Sequence, residues 1–90
     1  MDNQKVWRKI SENLKMQLSA AAYRTWFSAV DIKYLGDDRV TLSTPSAFIK
    51  ENIIPRYLTL IEETVQKVLG KKISIDFIVT NLDKNWNWYN

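Results

Sequence analysis

The side chains with reactive potential in this 90-residue chain are its carboxylates, because it contains neither histidine nor cysteine. Without histidine there is no imidazole to act as a general base near neutral pH, and without either residue a zinc site is not expected. The acidic residues are scattered, and no two of them form an evident acid–base pair. The chain is therefore predicted to be neither an enzyme nor a metal-binding protein.

Phosphate and cofactor binding are not predicted either. The glycines are Gly36 and Gly70 alone, so no glycine-rich loop can form, and the Leu-Gly-Lys-Lys sequence around Gly70 is not a P-loop. No cofactor or small-molecule substrate is expected. A metabolic enzyme or ligand carrier is the last-ranked hypothesis, because the sequence gives no sign of a cleft.

Length and composition predict one domain with no membrane partner. The chain is 46% hydrophobic, and no apolar run approaches the roughly 20 residues that span a bilayer. The lack of cysteine suits a reducing compartment, so we expect a soluble, cytoplasmic protein. Residues 1–30 carry +3, which equals the net charge of the whole chain. Such a charge permits weak nucleic-acid contact, although a solvated helix face is the preferred interpretation.

Two amphipathic helices are predicted to come first. Residues 3–17 place Trp7 at the edge of an apolar stripe made of Val6, Ile10, Leu14 and Leu18. Basic side chains lie on the other side of this helix: Lys5, Arg8, Lys9 and Lys15. Ser19 then caps a shorter helix, whose aromatic and apolar residues should anchor it to the core rather than stack on a cofactor: Tyr23, Trp26, Phe27 and Val30.

Three short strands are predicted around a long helix. Residues 31–35 and 39–44 form a hairpin in which Ile32 and Tyr34 share one face, as do Val40 and Leu42. Residues 72–79 alternate with a period of two, which places four side chains inward: Ile73, Ile75, Phe77 and Val79. The order helix, helix, strand, strand, helix, strand predicts an α+β domain with helices over one face of a three-stranded sheet.

The long helix runs to Leu69, with Thr44 as its expected N-cap and Gly70 as a left-handed C-terminal cap. Its apolar stripe consists of Ile49, Ile53, Tyr57, Leu60, Ile61, Val65 and Val68. Pro55 should kink this helix or split it in two. Phe48 points about 100° away from Ile49 and off the stripe. It is therefore either a contact residue for a partner or packed against another part of the domain.

The composition changes after residue 80. Residues 81–90 contain several asparagines and no glycine, and show no clear period. We interpret them as a flexible tail or the start of an interdomain linker after a domain at 1–80. Trp86 and Trp88 would either fold back onto the domain or bind a partner, and the sequence leaves both open.

Several runs together resemble the N-terminal domain (domain I) of the bacterial replication initiator family DnaA. They are Val-Trp-Arg-Lys-Ile at 6–10, Leu-Ser at 18–19, Tyr-Arg-Thr-Trp-Phe at 23–27, Leu-Ser-Thr-Pro-Ser-Ala-Phe-Ile at 42–49, and Tyr57. The similarity covers about residues 5–80. It implies a fold resembling a type II KH domain, although this chain lacks the GXXG loop of KH domains.

The resemblance also implies a function without catalysis. In the family, this domain self-associates weakly, recruits the replicative helicase DnaB to the unwound origin and binds regulators of initiation. The ATPase and the helix-turn-helix lie further along the full-length protein, and no Walker motif occurs in these 90 residues. The chain is thus expected to be either the first domain of a longer initiator or a stand-alone relative.

The family's functional positions carry over unevenly. Trp7 matches a tryptophan used in self-association, and Phe48 matches an aromatic used in helicase contact. Ala22 replaces an acidic residue of some members, and Asn52 replaces a tryptophan. The implied helicase- and regulator-binding face consists of Ala21, Ala22, Thr25, Phe48 and Asn52, and its small, apolar character favours packing over ion pairing.

An alternative function is single-stranded nucleic-acid binding by a stand-alone KH-like module. The candidate contacts are Lys5, Arg8 and Lys9, on the basic side of the first helix. The two glycines are far apart in the sequence, which argues against KH-type recognition. Weak binding to single-stranded origin DNA is retained as a secondary activity.

Overall fold

The computed structural model describes residues 2–80 and has the predicted order of elements. These elements are α1 (Asn3–Gln17), α2 (Ala20–Trp26), β1 (Asp31–Leu35), β2 (Arg39–Thr44), α3 (Ala47–Leu69) and β3 (Ser74–Val79). The predicted α+β class is confirmed. The predicted tail or linker at 81–90 lies outside the described residues.

The sheet is mixed, with β2 at its centre. β1 and β2 form the antiparallel hairpin, whereas β3 runs parallel to β2. Parallel neighbours require a long crossover, and α3 supplies it. Leu42 pairs with Ile32 of β1 on one side and with Phe77 of β3 on the other. Both outer strands are therefore aligned by their pairing with the central strand.

The core lies between the helices and one face of the sheet, and α1 packs against both α3 and β1. In β2, Val40 and Leu42 are fully buried, as alternation predicts. On α3, Ile53, Ile61 and Val65 are fully buried, and the rest of the predicted stripe packs around them half-buried. The periodicities of β2 and α3 therefore identified the core face of these two elements correctly.

The predicted N-cap of α3 is wrong by two residues. Ser46 is the N-cap, and its hydroxyl accepts the amide N–H of Ile49 at 3.2 Å. Thr44 instead ends β2, where it pairs with Val79 and is fully buried, and its hydroxyl donates to the Ser46 carbonyl at 3.1 Å. Pairing with β3 keeps Thr44 extended, so the helix begins only after the chain leaves the sheet.

Pro55 does not split the long helix, since α3 is one helix from Ala47 to Leu69. The proline is exposed, so the carbonyl left without a partner can be hydrated by solvent. At the other end, Gly70 has φ 76°, the left-handed conformation predicted for it, and its N–H bonds the Gln66 carbonyl at 2.8 Å.

Two predicted side-chain directions in the sheet are wrong. The ladder between β1 and β2 shifts register between Ile32 and Tyr34, an irregularity of the β-bulge type. Ile32 is buried, whereas Tyr34 is 49% exposed with the Arg39 guanidinium over its ring, and Leu35 packs against the core. Val79, expected to face inward, is also exposed, because it lies at the last pair of the β2–β3 ladder.

Candidate functional site

Phe48 is the most exposed aromatic side chain among residues 2–80. It lies in the first turn of α3 with 65% of its surface exposed, while the neighbouring Ile49 packs against the core. The geometry of the turn is fixed by the Ser46 cap, whose extended backbone directs the chain from the sheet into the helix. The predicted direction of Phe48, away from the apolar stripe, is confirmed.

Phe48 meets an aromatic ring from the neighbouring helix. The rings of Trp26 and Phe48 have centroids 6.1 Å apart and planes tilted by 38°. The same Trp26 ring also meets a cation, because the guanidinium of Arg56 lies 5.6 Å from its centre. We call Trp26, Phe48 and Arg56 the aromatic patch. It joins the end of α2 to the first three turns of α3.

Sequence reasoning missed two members of this patch. Trp26 was expected to anchor α2 to the core, and it does pack against the core, but part of its surface stays exposed beside Phe48. Arg56 was not singled out. A signal was present: Phe48, Asn52 and Arg56 are spaced i, i+4 and i+8, which puts them along one side of α3. That spacing does not reveal that Trp26 reaches across from another helix, which only the fold shows.

The residues of the predicted partner face lie on α2 and α3, the two helices that carry the patch. Ala21 and Thr25 are exposed on α2, and Ala22, one turn before Trp26, is half-buried. On α3, the side-chain amide of half-buried Asn52 donates to the Phe48 carbonyl at 2.9 Å. The helix that carries Trp26 thus also carries small side chains, and on α3 an amide follows Phe48 by one turn.

Trp7 lies in a different environment. It is only 9% exposed and belongs to the core cluster with its neighbours on α1. The Ser11 hydroxyl donates to the Trp7 carbonyl at 2.6 Å, a bond within the same helix. Lys5, Arg8 and Lys9 are exposed on the solvent side of α1. The structure therefore places the predicted self-association residue and the predicted partner face in two separate regions.

Metal-binding clusters and membrane-spanning helices are absent from residues 2–80. Over these residues, no group of three or more carboxylates is arranged to hold a metal ion. Within the same range, no helix combines the length and apolar composition needed to cross a membrane. One opening, of about 410 Å³, has Asp37 as its one carboxylate, beside Lys71. What distinguishes the surface is the aromatic patch.

Comparison with known proteins identifies the family. The model of the family described as "DnaA N-terminal domain" matches residues 4–67, a span that includes Trp7 and the whole aromatic patch. The chain belongs to the DnaA N-terminal domain family. The resemblance predicted from short runs of residues is thereby confirmed.

Individual relatives agree with this assignment. The chain is similar to the chromosomal replication initiator protein DnaA of Geotalea uraniireducens (strain Rf4), with 36% identity over 77 residues, 86% of this chain and 17% of the relative. It is also similar to DnaA of Microcystis aeruginosa (strain NIES-843 / IAM M-2473), with 32% identity over 72 residues, 80% of this chain and 16% of the relative. The chain spans about one sixth of the length of these initiators.

Proposed function

We propose that this DnaA N-terminal domain is a non-catalytic protein-interaction module of a replication initiator. It contacts the replicative helicase DnaB and regulators of initiation through the aromatic patch and the small residues around it. It associates with other DnaA molecules near Trp7, and it acts in the cytoplasm, where the chromosome is. The observation that carries the proposal is the 65% exposure of Phe48 beside Trp26 in a domain of this family.

The composition of the patch suits a protein partner. Tryptophan, phenylalanine and arginine are enriched in the centres of protein interfaces, and a few such residues supply most of the binding energy. Ala21 and Thr25 have short side chains, which let a partner helix or loop approach the rings closely. Asn52 and Arg56 supply polar groups beside the rings. Hydrogen bonds to them can fix the orientation of a bound partner without burying an ion pair.

Self-association through Trp7 requires a different kind of contact. With nine-tenths of its surface already buried, the ring can offer a partner only an edge. The exposed neighbours Lys5, Arg8 and Lys9 would repel the same residues of a second copy if the basic faces met directly. We therefore expect association to be weak and to weaken further at low salt if these basic faces approach one another.

The main test compares Phe48→Ala with Met16→Ala in binding to purified DnaB helicase. Both substitutions shorten an exposed apolar side chain on a helix, and Met16, 83% exposed, lies on α1, whereas the patch lies on α2 and α3. We expect Phe48→Ala to weaken binding at least about tenfold, which corresponds to about 1.4 kcal/mol. Met16→Ala should bind like the wild type. Equal affinities for all three proteins would refute helicase contact through the patch.

A second candidate function is weak binding of single-stranded DNA. The exposure of Lys5, Arg8 and Lys9 on one side of α1 favours it. Binding by such a face depends on the release of counterions from the DNA, so affinity should fall as salt is raised. Replacing the three basic residues with glutamine should flatten that dependence. Affinity that is indifferent to salt would exclude this mechanism.

A further inference from the structure

The three-stranded sheet has β1 at one edge and β3 at the other, and the two edges differ in how open they are to another strand. On β1 the ladder is irregular between Ile32 and Tyr34, and Lys33 is exposed on this strand. Bulges and lysines are features with which natural sheets prevent the addition of a strand at an edge. β3 pairs with β2 without a register shift, and its sequence, Ser-Ile-Asp-Phe-Ile-Val, contains neither proline nor lysine. Of the two edges, β3 is therefore the one suited to receive a strand.

The main-chain hydrogen bonds of β3 show which of its residues face the open edge. The amide N–H of Ser74, at the start of β3, donates to the Asp38 carbonyl at 3.0 Å, and that of Thr80, directly after β3, donates to the Thr44 carbonyl at 2.9 Å. Both even-numbered residues thus point toward β2, and successive residues of a strand point their main-chain groups to alternate sides. The N–H and C=O groups that point outward are those of Ile75, Phe77 and Val79.

The side chains along this edge are mostly apolar and retain exposed surface. Ile75 and Phe77 pack half-buried against the core, whereas Ile78 and Val79 are exposed. Asp76 is the single charged residue of the strand, and its carboxylate lies 3.4 Å from the Nε of Arg39. A strand added here would cover apolar surface and leave Asp76 beside its cation.

β3 is complementary to a second copy of itself in one antiparallel register. With a two-fold axis through Phe77, that residue lies opposite its own copy, and Ile75 lies opposite Val79 of the second molecule. All the outward-pointing residues then exchange main-chain hydrogen bonds with one another. On the outer face Asp76 lies opposite Ile78, so like charges do not meet. An axis through Asp76 would place two carboxylates opposite each other, and an axis through Ile78 would leave Ile75 without a partner from β3.

We propose that β3 is a surface for association with a second copy of this chain, on which two sheets join edge to edge in the register centred on Phe77. A second copy is the partner because this one register satisfies the outward-pointing groups of both strands and separates their carboxylates. The surface is distinct from that around Trp7, since α1 packs against α3 and β1 and makes no contact with β3. The proposal therefore does not depend on the proposed contacts of Trp7 or of the aromatic patch.

The decisive experiment is disulfide formation between two single-cysteine variants, since the chain contains no cysteine of its own. In the proposed register, position 76 of one copy and position 78 of the other are a non-hydrogen-bonded pair with Cα atoms about 4.5 Å apart, within reach of a disulfide. Two copies of the same position are diagonal neighbours about 7–8 Å apart, which is too far. We expect an equimolar mixture of Asp76→Cys and Ile78→Cys in a glutathione buffer to give the mixed disulfide in excess of both homodimers.

Each other distribution of products would overturn the proposal. An excess of the homodimer of Asp76→Cys would move the axis to residue 76, and an excess of the homodimer of Ile78→Cys would move it to residue 78. Random proportions would mean that the two strands do not pair. A mixture of Met16→Cys and Ile78→Cys is the matched control and should give random proportions, because Met16 is exposed on α1.

A pair of charged variants tests the same contact without a cross-link. Opposite Asp76 of the second copy, Ile78→Asp introduces repulsion and Ile78→Lys introduces attraction, and the two-fold axis repeats each effect. We expect Ile78→Asp to associate about tenfold more weakly than Ile78→Lys in sedimentation experiments, with circular dichroism confirming that both fold. Net charge alone predicts the opposite order, because the chain already carries +3 and the lysine adds to its self-repulsion. Equal association of the two variants, or stronger association of Ile78→Asp, would refute the proposal.

Discussion

Trp7 and Trp26 are the same residue type on two neighbouring short helices, yet they have opposite surroundings. Trp7 is buried in the core, whereas Trp26 is half-buried and contacts Phe48 and Arg56 at the surface. α1 packs against both α3 and β1, while α2 has seven residues and none of them is buried. Trp7 therefore contributes to the fold as a buried side chain, whereas Trp26 packs against the core and still leaves part of its surface exposed.

The largest expected effect that tests this contrast is on stability. Trp7→Ala should reduce the free energy of unfolding by about 3–5 kcal/mol, because it opens a cavity in the core. A domain of this size has about 5–15 kcal/mol in total, so the variant should unfold at a much lower denaturant concentration or fail to fold. Urea titration followed by circular dichroism measures the shift.

Trp7→Phe is the control that keeps the experiment informative if the alanine variant does not fold. It retains an aromatic ring and should keep most of the stability. If it stays folded but loses self-association measured by sedimentation, the exposed edge of Trp7 contributes to the contact between copies. If Trp7→Ala were as stable as the wild type, the contrast between the two tryptophans would be wrong.

The next effect concerns the N-cap residues of α3, which carries Phe48, and of α1, which carries Trp7. Ser46→Ala removes the acceptor for the Ile49 amide and should cost about 1 kcal/mol. Asp2→Ala removes the corresponding acceptor for the Gln4 amide, 3.0 Å away, at the start of α1. Hydrogen exchange should show early opening of the first turn of α3 in Ser46→Ala alone, because Ser46 caps that turn. Phe48 lies on the same turn, so the patch should loosen with it.

This cap marks where sequence reasoning reached its limit. The bounds of α1, the hairpin, the Gly70 cap and the direction of Phe48 follow from local periodicity and backbone preference, and they were predictable. The choice of Ser46 over Thr44 depends on where the parallel ladder with β3 ends, which involves residues more than thirty positions away. The pairing of Trp26 with Phe48 depends on how α2 packs against α3. Both are properties of the tertiary structure.

A smaller effect is expected from the contact between the two rings. In a double-mutant cycle of Trp26→Ala and Phe48→Ala, the coupling free energy should be about 0.5–1.5 kcal/mol, as for other aromatic pairs. The same cycle with Phe48→Ala and Trp7→Phe should give no coupling if the two regions are independent. Chemical denaturation of the four proteins in each cycle provides the numbers. If the coupling free energy between Trp7 and Phe48 were as large as that between Trp26 and Phe48, the core around Trp7 and the aromatic patch would not be energetically independent.

The smallest effect comes from Arg56. Its guanidinium lies over the Trp26 ring at an exposed position, where such a contact contributes about 0.5–1 kcal/mol and is weakened by hydration. Arg56→Gln removes the positive charge but keeps a long polar side chain, whereas Arg56→Lys keeps the charge as a strongly hydrated ammonium. The indole N–H signal of Trp26 should therefore shift more in the glutamine variant, and the signal of Trp7 should not move in either. A shift of both tryptophan signals would mean that a change at the patch is transmitted into the core, and the aromatic patch could then not be treated as a surface separate from the packing around Trp7.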